Sequence, residues 1–186
     1  MKKILFVLLA ALVFMFNGCG VFSSTSYSSP EVLLTNGFRG DSIAVFDINT
    51  EGSGLSSSTG KFVSDNLAET LFLKAKVKII DRTETAKALL KLSINTQAFD
   101  KDELKKFGVE TRAKYVVVGQ LYKNTTSDFW DKNKEKNINL GLRIISTETC
   151  DVVGAASISA EYKNNLNKVL TKMIDKIVNK INDITV

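Results

Sequence analysis

Two segments in the second half of the chain alternate apolar and polar residues with a period of two, and this pattern constrains the fold more than any other feature. In the first, Ile138, Leu140, Leu142 and Ile144 alternate with Asn139, Gly141 and Arg143. Successive side chains of a strand point to opposite faces, so this is a strand with one dry face and one wet face. In the second, Val152 to Tyr162, the residues Ile158, Ala160 and Tyr162 oppose Ser157, Ser159 and Glu161. Thr147-Glu148-Thr149 turns the chain between them, and the two strands form a hairpin. The C-terminal segment supplies a cover for the dry face. Leu166, Val169, Leu170, Met173, Ile174, Ile177, Val178 and Ile181 follow the i, i+3, i+4 rule of an amphipathic helix, with Lys168, Lys172, Asp175, Lys176 and Lys180 on its other face. This helix is expected to pack on its own sheet rather than on a membrane or a partner.

Upstream, strand and helix patterns take turns. Ile43 to Ile48 is apolar enough for a strand buried on both faces. Glu51 to Gly60 reads as a Gly/Ser loop, and Lys61 to Lys74 as a helix that buries Val63, Leu67 and Leu71. Val77 to Ile80 reads as another strand. Asp81-Arg-Thr-Glu84 has the form of a helix start, followed by Ala86, Leu89 and Leu90 on one face. Asp100-Lys-Asp-Glu103 repeats that signal, and Gly108 stands where the helix is expected to stop. Tyr115 to Tyr122 is the strongest strand of all. The expected fold is α/β (α+β): a single domain with a mixed sheet of about five strands packed with three or four helices.

The N-terminus is of a different kind. Met1-Lys2-Lys3 followed by the unbroken apolar run Ile4 to Phe16 has the form of a secretion signal, too short for a spanning helix, which needs about 20 apolar residues. Gly18-Cys19 follows, and the whole resembles a bacterial lipoprotein signal, in which the thiol of the cysteine is diacylglycerated before cleavage. Phe16 and Asn17 depart from the usual leucine and small residue of that motif. The resemblance implies a signal peptide over 1–18, a lipidated Cys19 with a Ser-rich tether over 19–41, and a folded domain over 42–186. Two or more acyl chains would hold such a domain on a membrane, where one alone binds only marginally. Gly20 lacks the aspartate that in Gram-negative sorting retains a lipoprotein in the inner membrane, so the resemblance leans toward the outer membrane, with the domain facing the periplasm.

Composition narrows the chemistry. There is no histidine, and the two cysteines, Cys19 and Cys150, lie far apart, which leaves neither the commonest general base nor a zinc spacing. The formal charge is +5, two units of which belong to Lys2 and Lys3, and acids are scattered among the remaining lysines. A nucleic-acid stripe is not expected. Gly54 to Lys61 superficially resembles a phosphate loop, but its glycines are one position too far apart and Phe62 stands where a hydroxyl residue would hold magnesium. The acid pairs Asp102/Glu103 and Asp128/Asp131 lie in strongly polar stretches where solvated carboxylates are ordinary. The expectation is a non-enzyme with no catalytic residue, no cofactor and no metal.

Four pieces in order, "SIAVFDINTEGSG", "KIIDRTETAKALL", "RAKYVVVGQL" and "INLGLRIISTETCDVVGAASISAEY", resemble the CsgG-type envelope lipoproteins, a group similar to the FlgO and TolB N-terminal domains. Asp81-Arg82 after a strand and Gly119 closing the VVVG strand weigh most. The resemblance implies a TolB N-terminal, anticodon-binding-like fold, and a part in assembly or export of curli- or flagellum-related surface structures. Pore-forming members assemble as homo-oligomeric rings with membrane-spanning hairpins of at least about 18 residues plus a turn. Lys123 to Asn137 is too short and too polar for one, and only Lys163 to Asn165 lie between Tyr162 and Leu166. What remains is a periplasmic scaffold for protein contacts, with Phe129 and Trp130 in a polar loop as the candidate contact residues. The alternative is an LpoB-like periplasmic activator of a peptidoglycan synthase. Its tether, Gly20 to Thr35, spans at most roughly 55 Å, a marginal reach across the envelope.

Overall fold

The computed structural model describes residues 25–35, 38, 41–125 and 136–185. The described residues form β1 (Ser26–Tyr27), β2 (Glu31–Leu34), β3 (Ile43–Val45), α1 (Ser57–Ala75), α2 (Arg82–Leu92), α3 (Lys101–Thr111), β4 (Tyr115–Thr125), β5 (Lys136–Ser146), β6 (Val152–Tyr162) and α4 (Leu166–Thr185). They build a single mixed α/β domain. The sheet runs β1–β6–β5–β4–β3, with β2 also paired to β6; all neighbours are antiparallel except β3 and β4.

The alternation read from the sequence fixes the sheet's two faces. Leu121 lies opposite Leu140 and Leu140 opposite Ile158, so one face is a continuous apolar layer. α1 and α4 cover it: Val63, Leu67 and Leu71 of α1 and Val169 to Ile181 of α4 join Val117, Leu121, Ile138, Leu140 and Ile158 in one buried cluster. Burial of each such Leu or Ile is worth about 1.5–3 kcal/mol, which is why α4 lies on its own sheet. On the other face α2 and α3 bring Ala88, Leu104 and Phe107 against Ala44, Phe46, Val116, Val118 and Ile145. Phe46 meets Phe107 edge-on at 5.0 Å and Phe99 at 6.0 Å.

Helix ends follow local chemistry. Asp100 accepts from the Glu103 N–H at 2.8 Å while the Glu103 carboxylate accepts from the Asp100 N–H at 2.9 Å, a complete capping box for α3. Asp81 starts α2 by accepting from the Thr83 N–H at 2.7 Å.

Several expectations are corrected. Gly108 does not end α3, which continues to Thr111 and stops at Arg112 in the left-handed conformation (φ 57°). A Cβ at Gly108 would lie 2.5 Å from the Cβ of Thr147, so this glycine lets the helix touch the β5–β6 turn. α1 starts at Ser57 rather than Lys61, and Gly60 is its point of closest approach, where a Cβ would lie 2.1 Å from the Ile48 carbonyl oxygen. On α2 the buried positions are Thr85 and Ala88, and Leu90 is 81% exposed. Of the strand expected over Val77 to Ile80, only Ile79 bridges, to Ile43. The stretch read as tether up to residue 41 contributes sheet from Ser26 onward: Ser26 pairs with Glu161 and Glu31 to Leu34 pair with Ser157 to Gly154.

Candidate functional site

Cys19, Phe129 and Trp130 lie outside the described residues, the last two between Thr125 and Lys136, which face each other at the end of the β4–β5 ladder. Glu103 of the acid pair is engaged in its capping box, and Asp128/Asp131 lie outside the described residues. Among the described residues no three His, Cys, Asp or Glu side chains come together as a metal site would require, and no helix is long and apolar enough to cross a membrane. The second half of the phosphate-loop look-alike is the first turn of α1, where Gly60 serves close packing against the Ile48 carbonyl. Arg82 is a brace: it pairs with Asp47 after β3 and Asp65 of α1, and donates to the Ser64 hydroxyl at 3.2 Å.

Element lengths leave one surface uncovered. The strands β4, β5 and β6 have 11 residues each, about 37 Å at 3.4 Å per residue. α1 and α4, with 19 and 20 residues, reach about 28–30 Å along one face. α2 and α3, with 11 residues each, reach only about 16 Å along the other. Among the described residues, half of that second face therefore stays open, and it is the wet face of the hairpin. Gln120, Gly141 and Ser157 form one row across it, and Tyr122, Asn139 and Ser159 form the next.

A groove of about 520 Å³ lies where this open face meets the segment joining α2 to α3. Its floor includes Gln120, Tyr122, Gly141 and Arg143, and its wall is Thr96 to Phe99. The wall is fixed. Phe99 packs on Phe46, the Gln97 side chain donates to Asn49 Oδ1 at 3.4 Å, and the Gln97 N–H donates to Asn95 Oδ1 at 3.0 Å. Asn49 is itself held by main-chain bonds to Gly119 (2.9 Å) and Leu121 (2.8 Å). On the floor the Tyr122 hydroxyl donates to Gln120 Oε1. Among the described residues the lining carries one guanidinium, that of Arg143, and no carboxylate.

Titratable groups moved from their ordinary values lie elsewhere. The Thr83 N–H and hydroxyl hold Asp81 below the usual carboxylate range, Asp41 holds Lys114 above the usual lysine range, and burial raises Tyr27 and Tyr162. The groove is thus equipped for recognition through hydrogen bonds and one positive charge. Sequence marked its floor through the polar positions of β5, but not its wall.

No family model matches the chain, and no curated protein matches it. Among solved structures it is similar to the lipoprotein GNA1162 from Neisseria meningitidis, at 12% identity over 76% of this chain and 98% of that one, with a TM-score of 0.53. It is similar to the hypothetical protein CT253 from Chlamydia trachomatis, also at 12% identity, over 76% and 96% of the two proteins, with a TM-score of 0.52. The C-terminal domain of LpoB from Escherichia coli aligns at 15% identity over 67% and 86%, with a TM-score of 0.49. The chain shares its fold with GNA1162 and CT253.

Proposed function

We propose that this protein is a non-catalytic envelope lipoprotein, held on the outer membrane by lipid at Cys19, whose open sheet face docks a partner protein in the periplasm. The observation that carries the reading is the groove: a braced, concave, polar surface on a face that the protein's own helices are too short to cover. A monomer with no use for that surface gains by extending α2 or α3 over it, as α1 and α4 extend over the other face. The lipoprotein-like signal and a fold shared with a protein described as a lipoprotein support the anchor. Phe129 and Trp130 lie between β4 and β5 in sequence and are a second candidate contact.

Of the two partner classes raised by sequence, an LpoB-like activator of a peptidoglycan synthase fits this domain better than a curli- or flagellum-related export component. Activation needs only a docking face, whereas a CsgG-type pore needs spanning hairpins, and β6 connects to α4 through three residues, Lys163 to Asn165. The test is site-specific photo-crosslinking in intact cells from Ser157, on the open face, with partner identification. A penicillin-binding protein supports the activator, and a secretion or flagellar component supports the export scaffold. No crosslink from Ser157 refutes the docking face. In parallel, Cys19→Ala should release the protein from membranes washed with high salt; retention refutes the lipid anchor.

A further inference from the structure

Among the described glycines, Gly141 alone meets nothing among the described residues that requires a glycine. Gly52 and Gly54 adopt positive φ (74° and 67°). A Cβ at Gly60, Gly108, Gly119 or Gly154 would approach a neighbour to between 2.1 and 2.8 Å. At Gly141 a Cβ would meet nothing within 4 Å, and its φ is not positive. Glycine in a strand interior weakens the strand, and where no bulge, bend or internal contact explains it, the remaining use is close approach by another molecule's backbone. Gly141 lies on the groove floor, between Gln120 on β4 and Ser157 on β6.

Two positions along the same face of β5 is Arg143, exposed, with no ion pair or hydrogen bond among the described residues. A guanidinium presents paired N–H donors that match a carboxylate in a two-pronged contact. Gln120, whose carbonyl oxygen is taken by Tyr122, keeps its amide N–H groups for an acceptor such as a peptide carbonyl. Phosphate recognition usually gathers several cations, and this groove holds one.

We propose that the groove binds a carboxylate-bearing polypeptide segment, which passes over Gly141 with its carboxylate held by Arg143 and a peptide carbonyl held by Gln120. This rests on the docking reading above and names the chemistry of the partner. The carboxylate is either that of an acidic residue or the carboxyl terminus of the partner polypeptide, and the test separates the two.

Three peptides are titrated into isotope-labelled full-length protein in detergent: Ac-Ala-Glu-Ala-amide, Ac-Ala-Gln-Ala-amide, and Ac-Ala-Gln-Ala with a free carboxyl terminus. NMR follows the Gln120 and Gly141 amides and the Arg143 Nε–H. At least one carboxylate peptide is expected to bind about tenfold more tightly than the neutral one, as a charge-assisted contact implies, and which one identifies the source. Arg143→Gln removes that preference. Gly141→Val blocks both; a Cβ there meets no neighbour within 4 Å, and an amide spectrum that keeps the dispersion of the unaltered protein shows that the variant folds. Equal binding of all three peptides, a preference that survives Arg143→Gln, or no shift at these groups up to about 20 mM peptide overturns the proposal. Crosslinks from Ser157 that persist undiminished in Arg143→Gln cells overturn the carboxylate while retaining the docking face; absence of crosslinks in cells with the unaltered groove overturns the docking face itself.

Discussion

Gly119 and Gly141 stand on adjacent strands, one register position apart, and alanine at each should move stability in opposite directions. Gly119 faces the core beneath α1 and α4. A Cβ there would lie 2.6 Å from Leu142 Cδ2, 2.7 Å from Ile48 Cδ1 and 2.8 Å from the Gly141 carbonyl oxygen. The two methyl groups end flexible side chains, but the carbonyl belongs to the β4–β5 ladder and moves only with it. Overpacking of this kind costs about 1–3 kcal/mol, against about 0.4–1 kcal/mol gained from a less flexible unfolded state. Gly119→Ala should therefore destabilise by about 1–2 kcal/mol. Gly141→Ala takes the entropic gain with no clash, since nothing lies within 4 Å, and should stabilise by about 0.5–1 kcal/mol. For a domain of this size about 2–4 °C of Tm accompanies each kcal/mol, so thermal unfolding followed by circular dichroism should show Gly119→Ala lower by about 2–8 °C and Gly141→Ala higher by about 1–4 °C. A fall in Tm for Gly141→Ala would show that the fold itself needs this glycine, and would remove the argument that something outside the protein does.

Three further outcomes follow from single side chains. Thr85 Oγ1 is buried without a hydrogen-bond partner among the described residues, so Thr85→Val should raise the urea midpoint by the equivalent of about 1 kcal/mol; a loss would mean that the hydroxyl is satisfied. Phe107 is fully buried against Phe46, and Phe107→Ala should cost about 3–5 kcal/mol in the same assay. Asp81 is held below its ordinary value of 3.8 by its bonds to Thr83, so its stabilising effect is present above that pH and lost as pH falls through the lower folded-state value. Asp81→Asn should flatten this part of the acid-unfolding curve, and an unchanged curve would refute the assignment.

Signals contained within a few residues were legible in the sequence. The capping box needs only Asp100 and Glu103, the hairpin only the alternation on either side of Thr147 to Thr149, and α4 only its own stripe. Features that depend on distant segments were not. Ser26 to Tyr27 and Glu31 to Leu34 are too short to announce themselves, and they become strands because their partners on β6, 120 to 135 residues later, offer an open edge. The α2 stripe was misplaced because Thr85, a polar residue, takes a core position while Leu90 points outward. The wet face of β5 was visible as Asn139, Gly141 and Arg143. That the Thr96 to Phe99 segment would wall part of it off depends on Phe99 reaching Phe46, which no local pattern encodes.

The strand at Ser26 also shortens the reach of the domain, and this determines where a partner can be. Seven Cα–Cα steps separate Cys19 from Ser26, at most about 25 Å when fully extended. That is less than half of the roughly 55 Å available if the tether ran to Thr35. A domain lipidated at Cys19 therefore meets partners that come close to its own membrane, and a synthase activated by it would have to present its docking part there. Inserting about twenty Gly/Ser residues after Cys19 tests this through the sign of the response. For a partner beside the same membrane, a longer tether dilutes the domain; effective concentration falls roughly as the −3/2 power of length, or about eightfold here. For a partner across the envelope, the same insertion brings the docking face within range and raises occupancy. Photo-crosslinking from Ser157 reads the difference. The expected result is a lower yield, and a higher one would show that the native tether limits contact with a distant partner.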